Sequence, residues 1–348
     1  GHADLNYLFA AVREVIPHIN PSTILITKST VPVGTGDLIE ALIAEESPGF
    51  SPSVVSNPEF LREGSAVLDF QFPDRIIIGA NDAHGQAVTE ALYATFKDKN
   101  DVIMSTDRRT AEMTKYAANA FLATKIAFIN EVSNLCEAMG ANVLDVAHGL
   151  GLDDRIGPKY LAAGPGYGGS CLPKDTLALV KTAETVGVDM SIVRTVVQSN
   201  IARKQALGQR IVSSLSGGGA KRIAVLGLVF KPGTDDMRDS PSIDIIETLQ
   251  ASGHEVVGYD PIGQAEAEKL LNGVRYASDA YAACEGADAA VIITEWDEFR
   301  SLDLSRIAKG MRHPTLFDFR NCIVPIAAVE AGLDYHSIGR PTPVVSPN

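Results

Sequence analysis

The sequence has 348 residues, 45% of them hydrophobic, and carries a formal net charge of −13. This length is too great for one ordinary core and predicts two or three globular domains. The negative charge argues against a broad nucleic-acid interface and against binding to an anionic membrane surface, although a few local Arg and Lys could still hold an anionic small molecule. No apolar run approaches the roughly 20 residues that span a membrane, and the polar start lacks the basic region of a signal peptide.

Strand and helix patterns alternate through the first 106 residues, which predicts a parallel sheet covered by helices. The apolar-periodic segments that predict helices are 5–16, 37–46 and 83–96. The patterns that predict buried strands are 23–27, 53–56, 75–79 and 101–104. We assign residues 1–106 to a first α/β domain.

The pattern changes after Asp107, where the chain favours helix as far as residue 215. Residues 110–140 contain no proline, and apolar positions surround the whole predicted helix. A helix this long that is apolar on all sides is typical of a buried hub or a dimer interface. Further helices are predicted over 142–150, 174–186 and 190–215. We assign residues 107–215 to a central helical domain and expect a homodimer through its long helix.

Ser216-Gly217-Gly218-Gly219 predicts a linker to a second α/β domain, which we assign to residues 216–348. Its strand patterns are 222–226, 255–259, 289–294 and 315–317, and helical segments are predicted over 243–251, 262–271 and 278–284. The predicted fold class is therefore α/β, with two Rossmann-like parallel-sheet domains joined by a helical domain.

Four glycines precede Cys171 within residues 164–169, and Lys174 and Asp175 follow it. Glycines permit tight turns and the close approach of a ligand, and a thiolate near a cation or a helix N-terminus is a strong nucleophile. The alternative is a buried structural cysteine beside a flexible loop, but the glycines and the Pro-Lys-Asp sequence favour the nucleophile. The four cysteines lack the spacing of metal ligands, which predicts reduced thiols, no bound metal and a cytoplasmic protein.

Three segments of the first domain carry weaker signals. Gly34-Thr35-Gly36 follows a strand and opens a helix, but it lacks the third glycine of a dinucleotide-binding turn. Thr30 follows the same strand, and its hydroxyl could hold water or substrate or simply cap a turn. Glu59 follows the next strand, where a carboxylate could act as a general base or could stabilise a helix N-terminus.

Lys115 and Asn119 are four residues apart on the long predicted helix and therefore share a face. A lysine and an asparagine that converge on one point can stabilise an oxyanion. An exposed helical lysine is more often simply solvated, however, and Glu112 could pair with Lys115. Without further context, both interpretations of this helix face stay open.

Basic residues also follow strands of the second α/β domain. Lys231 and Arg238 come after its first strand, and Arg320 comes after the strand pattern 315–317. Cations at strand ends suit the recognition of phosphate. The alternative is a charged surface loop.

Six segments occur in the order found in the UDP-glucose/GDP-mannose dehydrogenase family, which the chain closely resembles from its first residues to its last. The segments are 29–35, 57–64, 73–79, 111–131, 164–175 and 226–238. Segments 57–64 and 166–171 are more similar to the UDP-glucose branch of the family. The resemblance implies an NAD-dependent, four-electron oxidation of UDP-glucose to UDP-glucuronate, through a thiohemiacetal and a thioester on a cysteine.

The resemblance also implies roles for the residues at matching positions. Cys171 would be the nucleophile, while Lys115 and Asn119 would stabilise the alkoxide and the oxyanion. Asp175 and Thr30 would hold the reacting water, and Glu59 would assist thioester hydrolysis. Arg155 matches an arginine that reaches the substrate of a neighbouring subunit. The other implied substrate contacts are Phe60, Leu61, Tyr160, Leu161, Tyr167, Gly168, Phe230, Lys231 and Arg320, and the implied NAD contacts are Thr30, Glu63, Lys174 and Arg238.

The chain departs from the family pattern at its start. The family begins with a strand, a glycine-rich turn and a helix that cradle the NAD pyrophosphate, whereas Gly1-His2-Ala3-Asp4-Leu5 aligns after its third or fourth strand. We therefore expect roughly the first half of that Rossmann domain, on the order of 80 to 90 residues, to be absent from this sequence.

Alternative functions follow from the same resemblance. Another nucleotide-sugar dehydrogenase of the family would act on GDP-mannose or UDP-N-acetylmannosamine. A chain without the first part of its NAD-binding domain could instead be an inactive nucleotide-sugar-binding fragment. A single-step dehydrogenase is disfavoured because it needs no nucleophilic cysteine.

Overall fold

The computed structural model describes residues 4–49, 51–96, 102–215, 217 and 219–341. Contacts within the chain divide it into two compact units. The first unit comprises Gly1–Phe121 and Lys174–Ser191, and the second comprises Leu122–Pro173 and Ile192–Asn348. Two residues of the predicted linker, 216 and 218, and the start of the strand predicted over 101–104 lie outside the described residues.

The first unit contains a four-stranded sheet in the order β1-β2-β3-β4. Its strands are β1 (Ile24–Thr27), β2 (Ser53–Ser56), β3 (Ile76–Ala80) and β4 (Ile103–Thr106). The helices before and between them are α1 (Asn6–Val15), α2 (Thr35–Glu46), α3 (Ala66–Gln71) and α4 (Ala83–Leu92), with short 3-10 helices at Ile16–His18 and Ala94–Phe96. Buried Val and Ile side chains pack α1 and α2 against β2, with partly buried Leu side chains around them.

Strand β2 pairs with β3 in the antiparallel direction, whereas β1–β2 and β3–β4 are parallel pairs. The prediction of a parallel first sheet is therefore wrong at this pair. Parallel neighbours need a crossover that is usually a helix packed on the sheet. The connection from β2 to β3 carries α3, a six-residue helix with no buried residue, so it does not supply such a crossover.

Four helices follow β4: α5 (Arg108–Met139), α6 (Val143–Gly151), α7 (Leu172–Thr185) and α8 (Ser191–Ser214). Helix α5 has 32 residues. The division between the two units falls after Phe121 within α5 and after Pro173 within α7. In the described part of the chain, no helix is both long enough and apolar enough to cross a membrane.

The second unit contains a six-stranded sheet in the order β10-β9-β8-β5-β6-β7, with every pair parallel. Its strands are β5 (Arg222–Leu226), β6 (Glu255–Tyr259), β7 (Val274–Tyr276), β8 (Ala289–Ile292), β9 (Thr315–Asp318) and β10 (Asp334–Ser337). Its helices are α9 (Pro241–Ala251), α10 (Gln264–Leu270), α11 (Ala280–Cys284), α12 (Asp297–Arg300), α13 (Leu304–Gly310) and α14 (Pro325–Glu330).

Counted from β7, this is the doubly wound strand order 3-2-1-4-5-6, which reverses between β5 and β8. Both central strands are buried along nearly their whole length, as expected where helices cover both faces of a parallel sheet. The sequence patterns do not predict β7, β10 or helices α12 to α14. Among the basic residues singled out from the sequence, Lys231 and Arg238 follow β5, and Arg320 follows β9.

Candidate active site

Lys115 and Asn119 lie one turn apart on α5, and both are buried. The Lys115 ammonium lies 3.3 Å from Glu59 Oε1 and 5.1 Å from the centre of the Phe60 ring. Lys115 is thus not a solvated surface lysine, because its side chain is buried. The carboxylate and the aromatic face stabilise its buried positive charge. The first unit therefore brings together three of the predicted residues: Glu59, Phe60 and Lys115.

Asp175 lies in the first turn of α7, is 1% exposed, and accepts a 2.6 Å hydrogen bond from Asn119 Nδ2. Lys174 Nζ lies 2.9 Å from the other carboxylate oxygen. Because an amide nitrogen carries two hydrogens, Asn119 has a second N–H that can meet developing negative charge. The neighbouring Tyr116 is also buried, and that burial raises the pKa of its phenol, with the charge of Asp175 adding to the effect. Tyr116 therefore remains protonated here.

Glu112 is 3% exposed and binds the turn that follows β1. Its carboxylate accepts hydrogen bonds from Gly34 N at 2.6 Å, from Gly36 N at 2.9 Å and from Ser56 Oγ at 2.8 Å. The backbone amides of Gly34 and Gly36, which a pyrophosphate-binding turn would offer to the ligand, are thus already bound to a carboxylate of the protein. The dinucleotide-turn interpretation of this segment is wrong, and so is the suggested pairing of Glu112 with Lys115.

Cys171 is exposed, whereas Cys136, Cys284 and Cys322 are buried, and all four are free. The alternative of a buried structural cysteine at position 171 is therefore wrong. The Cys171 Sγ lies 3.4 Å from Ser170 Oγ, and α7 begins at the next residue. The Cys171 thiol is therefore accessible, and it lies at the N-terminus of a helix. Among the residues that the structure describes, no three His, Cys, Asp or Glu side chains are grouped to hold a metal ion.

The glycines before Cys171 permit close approach to groups of the protein itself in the second unit. A Cβ at Gly168 would lie 2.4 Å from the Asp239 carbonyl oxygen, and one at Gly169 would lie 2.7 Å from the Phe230 ring. Neither position has room for a side chain. The glycine pattern predicts a tight turn and the close approach of a ligand, but the first role of these glycines is to bring the loop against Asp239 and Phe230.

Arg320 follows β9 and connects the carboxyl ends of three neighbouring strands. Its Nε donates to the Ile293 carbonyl after β8 at 2.7 Å, and its Nη2 donates to the Phe230 carbonyl after β5 at 3.2 Å. Glu295 Oε2 lies 2.9 Å from the same Nε. Ligands of doubly wound sheets bind where the strand order reverses, here between β5 and β8. Phe230 and Arg320 therefore lie where a substrate of this fold would bind.

The other predicted cations of the second unit have local partners. Arg155, whose side chain is 89% exposed, pairs with Asp153 at 2.5 Å. Arg238 pairs with Asp236 at 2.8 Å. Lys231 Nζ lies 5.3 Å from the centre of the Phe230 ring, which places it near the end of β5.

Tyr160 and Leu161, two predicted substrate contacts, precede the Cys171 loop. Tyr160 has a φ of 65°, a conformation that bulky residues rarely adopt, and Leu161 is buried. Such strain clusters at functional sites. In the first unit, Leu61 donates its backbone N–H to Glu59 Oε2 at 2.5 Å and so helps to orient that carboxylate, while Glu63 is exposed.

Three residues of α8 that no sequence motif singles out hold the segment before Cys171 and the Asp239 carbonyl: Asn200, Arg203 and Lys204. Burial lowers the pKa of the Arg203 guanidinium to about 10, and Asn200 and Lys204 are 7% and 5% exposed. One signal was available in the sequence. Asn200 and Lys204 are four residues apart, so two polar side chains share one face of a helix that must pack.

Three models of one protein family match successive parts of the chain. In the UDP-glucose/GDP-mannose dehydrogenase family, the NAD-binding domain matches residues 1–97, the central domain matches 109–202, and the UDP-binding domain matches 224–325. The first match begins at residue 1. It therefore does not support the expectation that the N-terminal part of the NAD-binding domain is missing.

The chain is similar along nearly its whole length to curated enzymes. It is 52% identical over 345 residues to the UDP-glucose 6-dehydrogenase of Rhizobium meliloti strain 1021. This alignment covers 98% of this chain and 79% of the relative. It is 43% identical over 343 residues to the UDP-glucose 6-dehydrogenase TuaD of Bacillus subtilis strain 168. This second alignment covers 98% of this chain and 74% of the relative.

Solved structures have the same fold. A UDP-glucose dehydrogenase from the hyperthermophilic archaeon Pyrobaculum islandicum superimposes with a TM-score of 0.88 at 37% identity, over 98% of this chain and 77% of that one. A UDP-D-ManNAc dehydrogenase from Pyrococcus horikoshii superimposes with a TM-score of 0.83 at 30% identity, over 97% of this chain and 77% of that one.

Proposed function

The chain belongs to the UDP-glucose/GDP-mannose dehydrogenase family, and on that premise we propose that it oxidises the C6 alcohol of UDP-glucose to the carboxylate of UDP-glucuronate, with NAD as the electron acceptor. One observation carries the proposal: the exposed Cys171 follows a glycine loop that packs on Phe230 at the strand ends of the second unit. Relatives named as UDP-glucose 6-dehydrogenases are 52% and 43% identical, which favours UDP-glucose over GDP-mannose or UDP-N-acetylmannosamine.

The cysteine explains how one site carries out two oxidations without losing the aldehyde between them. In the proposed reaction the Cys171 thiolate adds to the C6 aldehyde and forms a thiohemiacetal. Oxidation of that adduct gives a thioester, and water then displaces the thiolate and leaves the carboxylate. NAD, when bound, accepts two electrons in each oxidation.

The buried residues of the first unit suit the charge changes of this reaction. Lys115 and Asn119 present an ammonium and an amide N–H, which stabilise the alkoxide and the oxyanion of the tetrahedral species. Glu59, held by Lys115 and by the backbone N–H of Leu61, assists hydrolysis of the thioester. Asp175 and Thr30 hold the reacting water.

The first unit offers groups that fit NAD. Thr30 and Glu63 follow β1 and β2, which are parallel neighbours, and ligands bind beyond the carboxyl ends of such strands. A hydroxyl and a carboxylate suit ribose hydroxyls, and the Lys174 ammonium in the same unit suits a phosphate. These three residues are the ones that we propose to bind NAD.

We also propose a homodimer formed through α5. Phe128, Leu135 and Met139 are 53%, 63% and 76% exposed, and their spacing of seven and four residues places them on one face of the helix. Large exposed apolar groups in a row are typical of an interface. The domain limits 1–106, 107–215 and 216–348 and the cytoplasmic location, which suits four free cysteines, remain proposals of the same kind.

Replacement of Cys171 by serine in the full-length protein tests the reaction. The wild type is expected to form two NADH for each UDP-glucose consumed, and Cys171→Ser is expected to lose steady NADH formation because it cannot form the thioester. Cys136→Ser, which alters a buried thiol, is the control and should keep its turnover. Unchanged turnover in Cys171→Ser would rule out the covalent mechanism. One NADH per substrate with release of free aldehyde, in the wild type, would indicate a single-step dehydrogenase.

A further inference from the structure

Residues 163–169, which lead to Cys171, are buried although they form neither helix nor strand. A buried backbone without a helix or a strand ladder must find other hydrogen-bond partners, because an unpaired N–H or C=O away from water is destabilising. The partners of this segment show which parts of the second unit determine where the Cys171 loop lies.

Asn200 of α8 binds both polar groups of one loop residue. Its Oδ1 accepts from Tyr167 N at 2.8 Å, and its Nδ2 donates to Tyr167 O at 3.0 Å. The side-chain amide thus satisfies the same backbone N–H and C=O groups that a neighbouring strand would satisfy in a sheet. The same oxygen would lie 2.8 Å from a Cβ at Gly166, whose φ is 119°. The loop therefore has no room to move toward α8.

Arg203, one turn further along α8, holds the start of the segment. Its Nε donates to the Gly164 carbonyl at 2.6 Å, and its Nη1 donates to the Asn130 carbonyl at 3.0 Å. The Asn130 side chain in turn accepts from Gly164 N at 2.9 Å. Both backbone groups of Gly164 are therefore bound by side chains from α5 and α8.

Lys204 extends the same arrangement to the far side of the loop. It is 5% exposed and donates to the Asp239 carbonyl at 2.8 Å, and its Nζ also lies 3.4 Å from Asp244. That carbonyl is the atom that excludes any side chain at Gly168. A buried lysine thus fixes the surface against which the glycines before Cys171 pack.

We propose that Asn200 and Arg203 are positioning residues, which fix the place of the Cys171 thiol by holding the backbone of the loop at Tyr167 and Gly164. Neither residue needs to touch substrate. The inference rests on the proposed role of Cys171 as the nucleophile, and it adds that the rate of the covalent steps depends on two side chains of a helix that carries no reacting group. A displacement of about 1 Å at a reacting group can cost on the order of 10²-fold in rate.

Isosteric or conservative variants test the proposal in the full-length protein. Asn200→Asp sets a carboxylate oxygen against the Tyr167 carbonyl, and Arg203→Lys removes the fork that spans Gly164 and Asn130. Both are expected to lower kcat by about 10²-fold with little change in the KM for NAD. The rate at which iodoacetamide alkylates Cys171, followed by mass spectrometry, is expected to change in both.

Arg210→Lys is the matched control, because Arg210 lies on the same helix and binds Glu137 and the Ser337 carbonyl rather than the loop. It should keep both kcat and the Cys171 alkylation rate. Equal losses in Arg210→Lys would show a general effect of α8 and would overturn the proposal. So would folded Asn200→Asp and Arg203→Lys proteins with wild-type kcat and alkylation.

Hydrogen exchange of the wild type gives a readout that needs no variant. The Tyr167 amide should be strongly protected because Asn200 accepts its hydrogen bond, and exchange at the rate of an open loop would contradict the proposal. Alkylation and exchange do not depend on turnover. If Cys171→Ser kept its activity, the proposed reaction would fail while these two measurements would still report how the loop is held.

Discussion

At the scale of single residues, Glu112 shows how one buried carboxylate organises the first unit. It accepts hydrogen bonds from Gly34, Gly36 and Ser56, so it joins α5 to the turn after β1 and to the end of β2. Thr30 and Glu59, two of the proposed site residues, belong to the segments that follow these strands. The same residue therefore supports both the stability of the unit and the position of groups around it.

Glu112→Gln is expected to destabilise the protein by about 1.5–3 kcal/mol, because hydrogen bonds to a charged group contribute about that much and the new NH₂ group faces a donor. The measurement is chemical denaturation at neutral pH. Glu46→Gln is the control, since Glu46 forms an exposed pair with Arg13 that contributes about 0–1 kcal/mol. If the two variants unfolded at the same denaturant concentration, the three hydrogen bonds of Glu112 would contribute no more to the free energy of unfolding than the exposed ion pair does.

At the scale of the elements, α5 supplies a test of assembly. Leu135 lies between Phe128 and Met139 on the exposed apolar face of the helix. A lysine in the middle of a buried interface leaves an unpaired charge without water, which is costly. Leu135→Lys is therefore expected to convert the proposed dimer to monomers, as seen by sedimentation velocity.

Leu135→Met is the matched control for assembly, because it keeps an apolar side chain of similar volume on the same face. It should sediment as the wild type does. A wild-type protein that sediments as a monomer, or a Leu135→Lys variant that remains a dimer, would show that this face of α5 is not the interface.

The elements that the sequence predicts well are those with strong periodicity and full burial. The predicted limits of β2, β5 and β6 agree with the structure because each is a short β-favouring run bounded by turn residues. Strands β7 and β10 lie at the edges of their sheet, and with only three and four partly polar residues they are too short for an alternating pattern to identify them. The antiparallel pairing of β2 with β3 is a tertiary choice that no local pattern contains.

The candidate site shows the same division. Residues with reactive groups, such as Cys171 and Lys115, can be singled out as candidates because their chemistry and spacing are visible in the chain. Residues that hold them are not, because their partners are backbone atoms far away in sequence. Glu112 is 78 residues from Gly34, and Arg203 is 39 residues from Gly164. Asn200 resembles an ordinary polar helix residue until the buried loop beside it is known.

At the scale of the whole molecule, the second unit has the sheet topology of a nucleotide-binding fold. Its six parallel strands reverse order between β5 and β8, and Phe230, Lys231 and Arg320 lie at the carboxyl ends of β5 and β9. The UDP-binding domain of the family matches residues 224–325. Binding of UDP should therefore need no NAD and no thiol.

UDP is expected to raise the Tm of the protein, because a ligand at 100 times its Kd stabilises the folded state by about 2.7 kcal/mol. Lys231→Met is expected to reduce this shift, since it removes a cation from the end of β5, whereas Cys171→Ser should retain the whole shift. Lys269→Met is the control, because that exposed lysine pairs with Glu266 on α10. An unchanged Tm shift in Lys231→Met would show that UDP does not bind at the end of β5. A shift lost in Cys171→Ser would instead mean that the segment carrying the thiol contributes to nucleotide binding, as its packing on Phe230 would allow.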